Sequence, residues 1–352
     1  MERPLRFGIV GCGVIGPTHA HCIQELPGAE LTAVCDIVPE RAGRLAQQYG
    51  CEAYTDTASM LQRPDLDIVC VCTPSGLHAE MGIAAARLGK HVIVEKPIDV
   101  SLAKADALIT ACREVGVKLC TISQHRFDPA VVELKSAIDS GKLGRLVFAG
   151  AYTQWYRAQA YYDSGDWRGT WEIEGGGALI NQSIHYIDLM QYLAGPVESL
   201  QGYTACLAHK KIAVEDTAVA AVRFRSGALG VIEGMTSAYP GFCARLEIFG
   251  TQGGVVIEDD RVKEWRLRDG EGYSGSLEAG SSIAGSSSLD IWHHGHRRQI
   301  ADMLEAVRSD RLPLVDGNEG RKPLEIVLAV YAAARSGQIQ KLSAGDTPAL
   351  PV

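Results

Sequence analysis

Between residues 5 and 121, short β-branched apolar runs alternate with segments of helical pattern. The order is "LRFGIV", a helix from about 16 to 26, "ELTAVCD", a helix near 39–49, "LDIVCVC", a helix near 77–89, "HVIVEK", a helix near 101–116, and "KLCTIS". Runs that are apolar throughout need cover on both faces, and intervening helices supply it when the strands lie parallel. The alternation predicts an α/β fold whose first domain, residues 1–122, is a doubly wound parallel sheet.

After about residue 145 the rhythm changes. Strand-like runs follow one another without helices between them: "LVFAGAYTQWY", "ESLQGYTACLA", "EDTAVAAVRFR", "GALGVIEGMTS", "CARLEIFG" and "GGVVIEDD", joined by turns such as "RSGA" and "GTQGG". Hairpin-linked strands predict an antiparallel sheet, so residues 123–352 are expected to form an α+β domain with a large, mostly antiparallel sheet. At 352 residues two domains are the natural division. Helices are expected over "ALINQSIHYIDLMQYLAG", 292–309 and 321–337, and a surface loop over the Gly/Ser-rich stretch 270–288.

Charge and cysteine usage remove several function classes. A net charge of -8 lacks the basic face of a nucleic-acid binder, and "HKK" and "HRR" are read as solvated helix or loop ends. The N-terminal "MERPLRFGIV" has no leader pattern and no run approaches the roughly 18 apolar residues of a membrane span, so a cytoplasmic protein is expected. Ten cysteines occur without a CxxC pair, several inside apolar strands, and are expected to be buried thiols.

Gly11, Gly13 and Gly16 follow the first apolar run and open the first helix, a setting in which backbone N–H groups can hold a pyrophosphate. A dinucleotide also needs an acidic residue about 20 positions on, and Asp36 closes "ELTAVCD". Its carboxylate can accept from the adenosine ribose hydroxyls and repels a 2′-phosphate, while Arg41 offsets part of that repulsion. NAD is therefore expected ahead of NADP. Val14, Ile15 and Ile37 lie in the same loops and are expected to line the cofactor.

Ligands of a doubly wound sheet bind at the carboxyl ends of its strands. Thr73, Pro74 and His78 leave one such end, Glu95, Lys96 and Pro97 a second, and Gln124 and Arg126 a third. A lysine directly after a buried strand is a poor core residue, which singles out Lys96.

The glycine loop, "EKP" at 95–97, "QHRFDP" at 124–129, "GGGALINQSIHYID" at 175–188 and "EGRKPLEIVLAVYAAARSG" at 319–337 together resemble the Gfo/Idh/MocA family of NAD(P)-dependent oxidoreductases. The resemblance covers almost the whole chain. It implies an N-terminal Rossmann domain, a C-terminal domain whose open sheet packs against another subunit in a homodimer or homotetramer, and a last helix packing back toward the Rossmann domain. It also implies a carbohydrate substrate, a sugar, cyclitol or sugar derivative, oxidised at a secondary hydroxyl by hydride transfer to nicotinamide C4.

By the same resemblance Lys96 and His185 flank the reacting carbinol. A histidine suits removal of the hydroxyl proton, and a lysine can stabilise the developing alkoxide. Many members carry an aspartate one turn before the histidine, where this chain has Asn181. Four residues apart on a helix, Asn181 and His185 share a face; Asn181 can bind substrate but cannot take a proton. "NQSIHYIDL", preceded by "DWRGTW", resembles the branch oxidising C3 of nucleotide-linked N-acetylglucosaminuronate, and also sugar or glycoside 3-dehydrogenases.

Aromatic and polar residues interleave from Gln154 to Trp171, a composition suited to a sugar or to a subunit interface. Trp167 and Arg168 are assigned to the substrate site, with Arg126 as a further contact. His293, His294 and His296 match no standard ligand spacing, and no metal is expected. The rival from another class is a non-catalytic NAD- or sugar-sensing regulator, since fold does not fix function.

Overall fold

The computed structural model of the chain describes residues 3–270, 272–273 and 290–342. Nearly all of the stretch expected as a surface loop at 270–288 lies outside them. The chain forms two compact units: one drawn from Met1–Asp128, Gly165–Gly176 and Ser286–Leu324, the other from Pro129–Ser164, Gly177–Gly285 and Glu325–Val352.

The first unit holds strands β1 (Leu5–Val10), β2 (Ala29–Cys35), β3 (Glu52–Tyr54), β4 (Ile68–Val71), β5 (His91–Val94) and β6 (Leu119–Thr121). Its helices are α1 (Gly16–Glu25), α2 (Pro39–Tyr49), α3 (Thr57–Leu61), α4 (His78–Arg87) and α5 (Leu102–Val115). The sheet is wholly parallel in the order β3-β2-β1-β4-β5-β6, the Rossmann arrangement. The reason is legible in burial: Phe7, Ile9, Val34, Ile68, Val69, Cys70 and Ile93 are fully buried, so both faces of the strands are covered. The order reverses between β1 and β4, which places the carboxyl ends of these neighbours at the switch point where such sheets bind ligands.

The second unit holds α6 (Pro129–Asp139), β7 (Leu146–Gln154), α7 (Gln159–Tyr162), α8 (Ile184–Ala194), β8 (Val197–Ala205), β9 (Thr217–Phe224), β10 (Leu229–Met235), β11 (Ala244–Gly250), β12 (Gly253–Glu258), β13 (Arg261–Leu267) and β14 (Gln340–Lys341). The strands form one sheet, β13-β12-β11-β7-β10-β9-β8-β14, antiparallel except at β7–β10. Along β9 the side chains alternate strictly: Ala218, Ala220, Val222 and Phe224 are buried while Val219, Ala221 and Arg223 face out. Small inward residues let the segment 178–183 lie close to the sheet: a Cβ at Gly234 would meet Ser183 Oγ at 2.3 Å.

Helices α9 (Asp290–Arg308) and α10 (Gly317–Ser336) close the described chain, matching the two expected terminal helices. Pro323 lies in the second turn of α10, past the first-turn positions where a proline forgoes no helical hydrogen bond. All ten cysteines are free thiols, most of them buried. No helix among the described residues is long and apolar enough to cross a membrane.

Candidate active site

In the first unit the glycine loop joins β1 to α1. Gly11 has φ +99°, and a Cβ there would lie 2.5 Å from the carbonyl oxygen of Cys72, while one at Gly16 would lie 2.4 Å from that of Gly11. These two glycines make the turn. Gly13 differs: a Cβ there meets nothing within 4 Å, so its bare backbone serves an approach from outside. No side chain caps α1 and no acidic residue occupies its first turn, which leaves the positive end of the helix for an anion. Val14 and Ile37 are 77% and 89% exposed, Ile15 is half-buried and Arg41 is exposed on α2.

Asp36, directly after β2, accepts the N–H of Cys12 at 2.8 Å and that of Val38 at 2.9 Å. It therefore pins the glycine loop, and its remaining lone pairs can take two ribose hydroxyls. At neighbouring strand ends, Thr73 Oγ1 and both amide atoms of Gln124 are buried without a partner. Buried polar atoms are almost always paired. A polar ligand lying across these strand ends, as NAD does, fits the residues present.

Thr73 and Pro74 lead into the turn before α4. His78 is buried with both ring nitrogens engaged, Nδ1 at 2.7 Å from the carbonyl oxygen of Pro97 and Nε2 at 2.8 Å from that of Thr73. Burial lowers its pKa. A neutral ring has one N–H to donate to one of these two carbonyl oxygens, between the turns after β4 and β5. Lys96 is half-buried, and its N–H donates to Glu95 Oε2 at 3.1 Å. Burial pushes the Glu95 carboxyl up, but hydrogen bonds from His19 and His296 outweigh it and hold it well below the usual carboxylate range. Arg126 is fully buried in an ion pair with Glu319 at 2.9 Å.

The segment Gly165–Gly176 belongs to the same unit. The Gly76 N–H donates to the carbonyl of Ile173 at 2.8 Å, which ties this segment to the turn after β4. The Arg168 guanidinium lies over the Trp167 ring, 4.4 Å from its centroid, and 4.0 Å from Glu174. The two residues assigned to substrate are therefore packed on one another.

The second unit carries Asn181 and His185. The expected single helix is two: Ala178–Ser183 winds as a π-helix before α8 begins at Ile184. Glu215 holds the start of this segment. Its side chain accepts the N–H groups of Gly177 and Leu179 at 3.0 and 2.9 Å, its carbonyl accepts that of Ala178 at 3.1 Å, and a Cβ on Gly177 would lie 1.8 Å from that carbonyl. These bonds satisfy donors that a helix start leaves without intrahelical partners, and π-helical turns are common at functional sites.

His185 is buried on α8. Asn181 Nδ2 donates to Tyr161 Oη at 3.3 Å, Gln182 Nε2 donates to the same oxygen at 3.2 Å, and Arg157 donates to Gln182 Oε1 at 3.0 Å. Arg157 also lies over the rings of Trp155 and Tyr161. Trp155, Arg157 and Tyr161 therefore form one polar and aromatic cluster with Asn181 and Gln182. Sequence reasoning did not single out His19, Glu215 or Tyr331, whose partners are far away in the chain. Of the three histidines near 294, His296 is buried against Glu95, His293 pairs with Glu25, and His294 is exposed.

The family model described as "Oxidoreductase family, NAD-binding Rossmann fold" matches residues 5–123, and the Gfo/Idh/MocA C-terminal domain matches 131–256. Myo-inositol 2-dehydrogenase of Thermotoga maritima is 30% identical over 337 residues, covering 94% of this chain and 96% of its own. Scyllo-inositol 2-dehydrogenase (NAD(+)) of Bacillus subtilis is 29% identical over 351 residues, 96% of each chain. The WlbA dehydrogenase from Bordetella pertussis, solved with NADH and UDP-GlcNAcA, superposes with a TM-score of 0.86 at 35% identity, covering 97% of this chain and all of its own. The chain belongs to the Gfo/Idh/MocA oxidoreductase family and takes NAD in its Rossmann fold.

Proposed function

We propose that the chain oxidises a secondary hydroxyl of a sugar, cyclitol or sugar derivative, with His185 as general base, Lys96 as hydrogen-bonding acid and Asn181 as the residue that orients the substrate. The nicotinamide of bound NAD+ supplies the hydride acceptor. His185 removes the hydroxyl proton and Lys96 stabilises the charge that develops on the same oxygen. Asn181 has no charge to lend His185, so the base role rests on the imidazole. The observation that carries this reading is the bonding of Asn181 to Tyr161 within the Arg157–Gln182 cluster, a polar and aromatic lining suited to a polyhydroxylated ring.

Trp167, Arg168 and Arg126 are assigned to substrate, and Asp36 with the glycine loop to NAD. A second reading, oxidation of a UDP-linked N-acetylglucosaminuronate, is favoured by the identity of 35% to a dehydrogenase solved with UDP-GlcNAcA. Purified protein incubated with NAD+ and a panel of monosaccharides, inositols and UDP-sugars separates the two. NADH formation with an inositol or free sugar supports the first, and formation with the UDP-uronate alone supports the second. No NADH with any of them would leave the sensing regulator as the better account.

A homo-oligomer formed through the eight-stranded sheet is part of the proposal. Its outward face carries Tyr203, Val219 and Leu229, 72%, 45% and 53% exposed, an uncovered apolar surface that a second subunit would bury. A stable monomer in sedimentation equilibrium would contradict it.

A further inference from the structure

We propose that His19, Glu95 and His296 form a buried positioning network for Lys96, so that the turn leaving β5 presents its ammonium in one place. The inference rests on the assignment of Lys96 to the reacting hydroxyl made above. Glu95 follows the last residue of β5, yet its carboxylate turns inward and is 8% exposed, against 0% for His19 and 1% for His296. Oε1 takes Nε2 of His19 at 2.8 Å and Nε2 of His296 at 3.2 Å, and Oε2 takes the Lys96 N–H at 3.1 Å. A carboxylate held from α1, α9 and its own backbone cannot rotate, which fixes the peptide entering Lys96. Beyond it, Nδ1 of the buried His78 lies 2.7 Å from the carbonyl oxygen of Pro97.

Because α1 is also the helix that opens at the glycine loop, the same three side chains link the pyrophosphate site to the lysine. His19 Nδ1 is buried without a partner, as expected when the ring is neutral and its one N–H is given to Glu95. The ligand atoms of the three residues lie within 4.8 Å of one another, so a metal must be weighed. A separation of 2.8 Å between His19 and Glu95 is a hydrogen bond. Zinc, with bonds of about 2.0–2.1 Å, holds tetrahedral ligands roughly 3.3 Å apart.

The test compares Glu95→Gln, His296→Gln and Lys96→Met with the wild type, using the carbohydrate oxidised fastest in the panel above. A carboxamide fills the same space but offers one acceptor oxygen in place of two. Glu95→Gln is expected to lower kcat on the order of 10- to 100-fold, with the NADH Kd and the carbohydrate KM changed by less than about threefold. Hydrogen exchange of the Lys96 amide in the cofactor-free protein is expected to quicken by about tenfold or more. If Glu95→Gln does not fold, His296→Gln is read on the same criteria.

Lys96→Met with unchanged kcat would remove the role of Lys96 itself. Loss of activity in Lys96→Met beside full kcat and unaltered exchange in Glu95→Gln would remove the positioning role alone. A raised KM at constant kcat in Glu95→Gln, or stoichiometric zinc bound by the wild type and absent from Glu95→Gln, would also overturn it.

Discussion

The hydroxyl of Tyr331 donates to Oε1 of Glu215 at 2.9 Å, joining residues 116 positions apart. The same carboxylate takes the N–H groups of Gly177 and Leu179. One buried side chain therefore ties α10 to the start of the π-helix that carries Asn181 and leads to His185. Burial raises the Glu215 carboxyl to about 7 against the pull of those hydrogen bonds.

That shift gives a pH dependence with a defined sign. The unfolded carboxyl titrates near 4.5 and the folded one near 7, so in between the native protein keeps a proton that the unfolded chain releases. The contribution of this group to stability is complete below about pH 4.5 and is lost as pH rises through about 7, on the order of 3 kcal/mol in all. Thermal melts of the wild type and Glu215→Gln between pH 5 and 8 check it. The wild-type Tm is expected to fall relative to the variant as pH rises, and parallel curves would contradict the assignment.

Tyr331→Phe removes one donor and leaves the rest of the clasp in place. It is expected to destabilise the protein by about 1–3 kcal/mol, the usual result of leaving a buried acceptor short of a partner. A urea melt measures it. Because the π-helix loses one of its supports, kcat is expected to fall more than the NADH affinity.

Gly11 and Gly13 differ in what they serve, and alanine at each separates the two roles. Gly11→Ala forces a Cβ to within 2.5 Å of the Cys72 carbonyl at a left-handed φ, so Tm should fall. Gly13→Ala has room in the free protein and should leave Tm unchanged while weakening NADH at least about tenfold, since the new methyl occupies the approach to the pyrophosphate. Fluorescence titration beside thermal melts reads both.

Asp36→Ser removes the charge that repels a 2′-phosphate and the carboxylate that accepts from Cys12 in the glycine loop and from Val38. NADH affinity is expected to drop about tenfold or more and the NADH to NADPH preference to narrow. Equal loss for both cofactors would assign Asp36 to the loop alone.

Asn181→Asp places a charge four residues before the histidine. A carboxylate near His185 favours the imidazolium and raises its pKa, so the acid limb of kcat/KM should move to higher pH by about one unit. An unmoved limb would separate Asn181 from His185.

How far the sequence could be read depended on range. The parallel sheet was legible because apolar runs such as "LDIVCVC" leave no face for water, and Asp36 because its distance from the glycine loop is set by one βαβ unit. The hairpin-linked run containing "TAVAAVRF" likewise pointed to an antiparallel strand. What stayed hidden depends on long-range pairs: His19 meets Glu95 across 76 residues, His296 meets it across 201, and Tyr331 meets Glu215 across 116. No local pattern encodes them. The start of the π-helix is likewise held from a distance, by Glu215 rather than by anything within "ALINQS".

The central claim is tested most directly by placing deuterium on the carbinol carbon of the best carbohydrate substrate and following it by mass spectrometry. The wild type should deliver the label to NADH, and His185→Ala should do so about 100-fold or more slowly while still binding NADH. NADH lacking the label, or an undiminished rate in His185→Ala, would contradict the account.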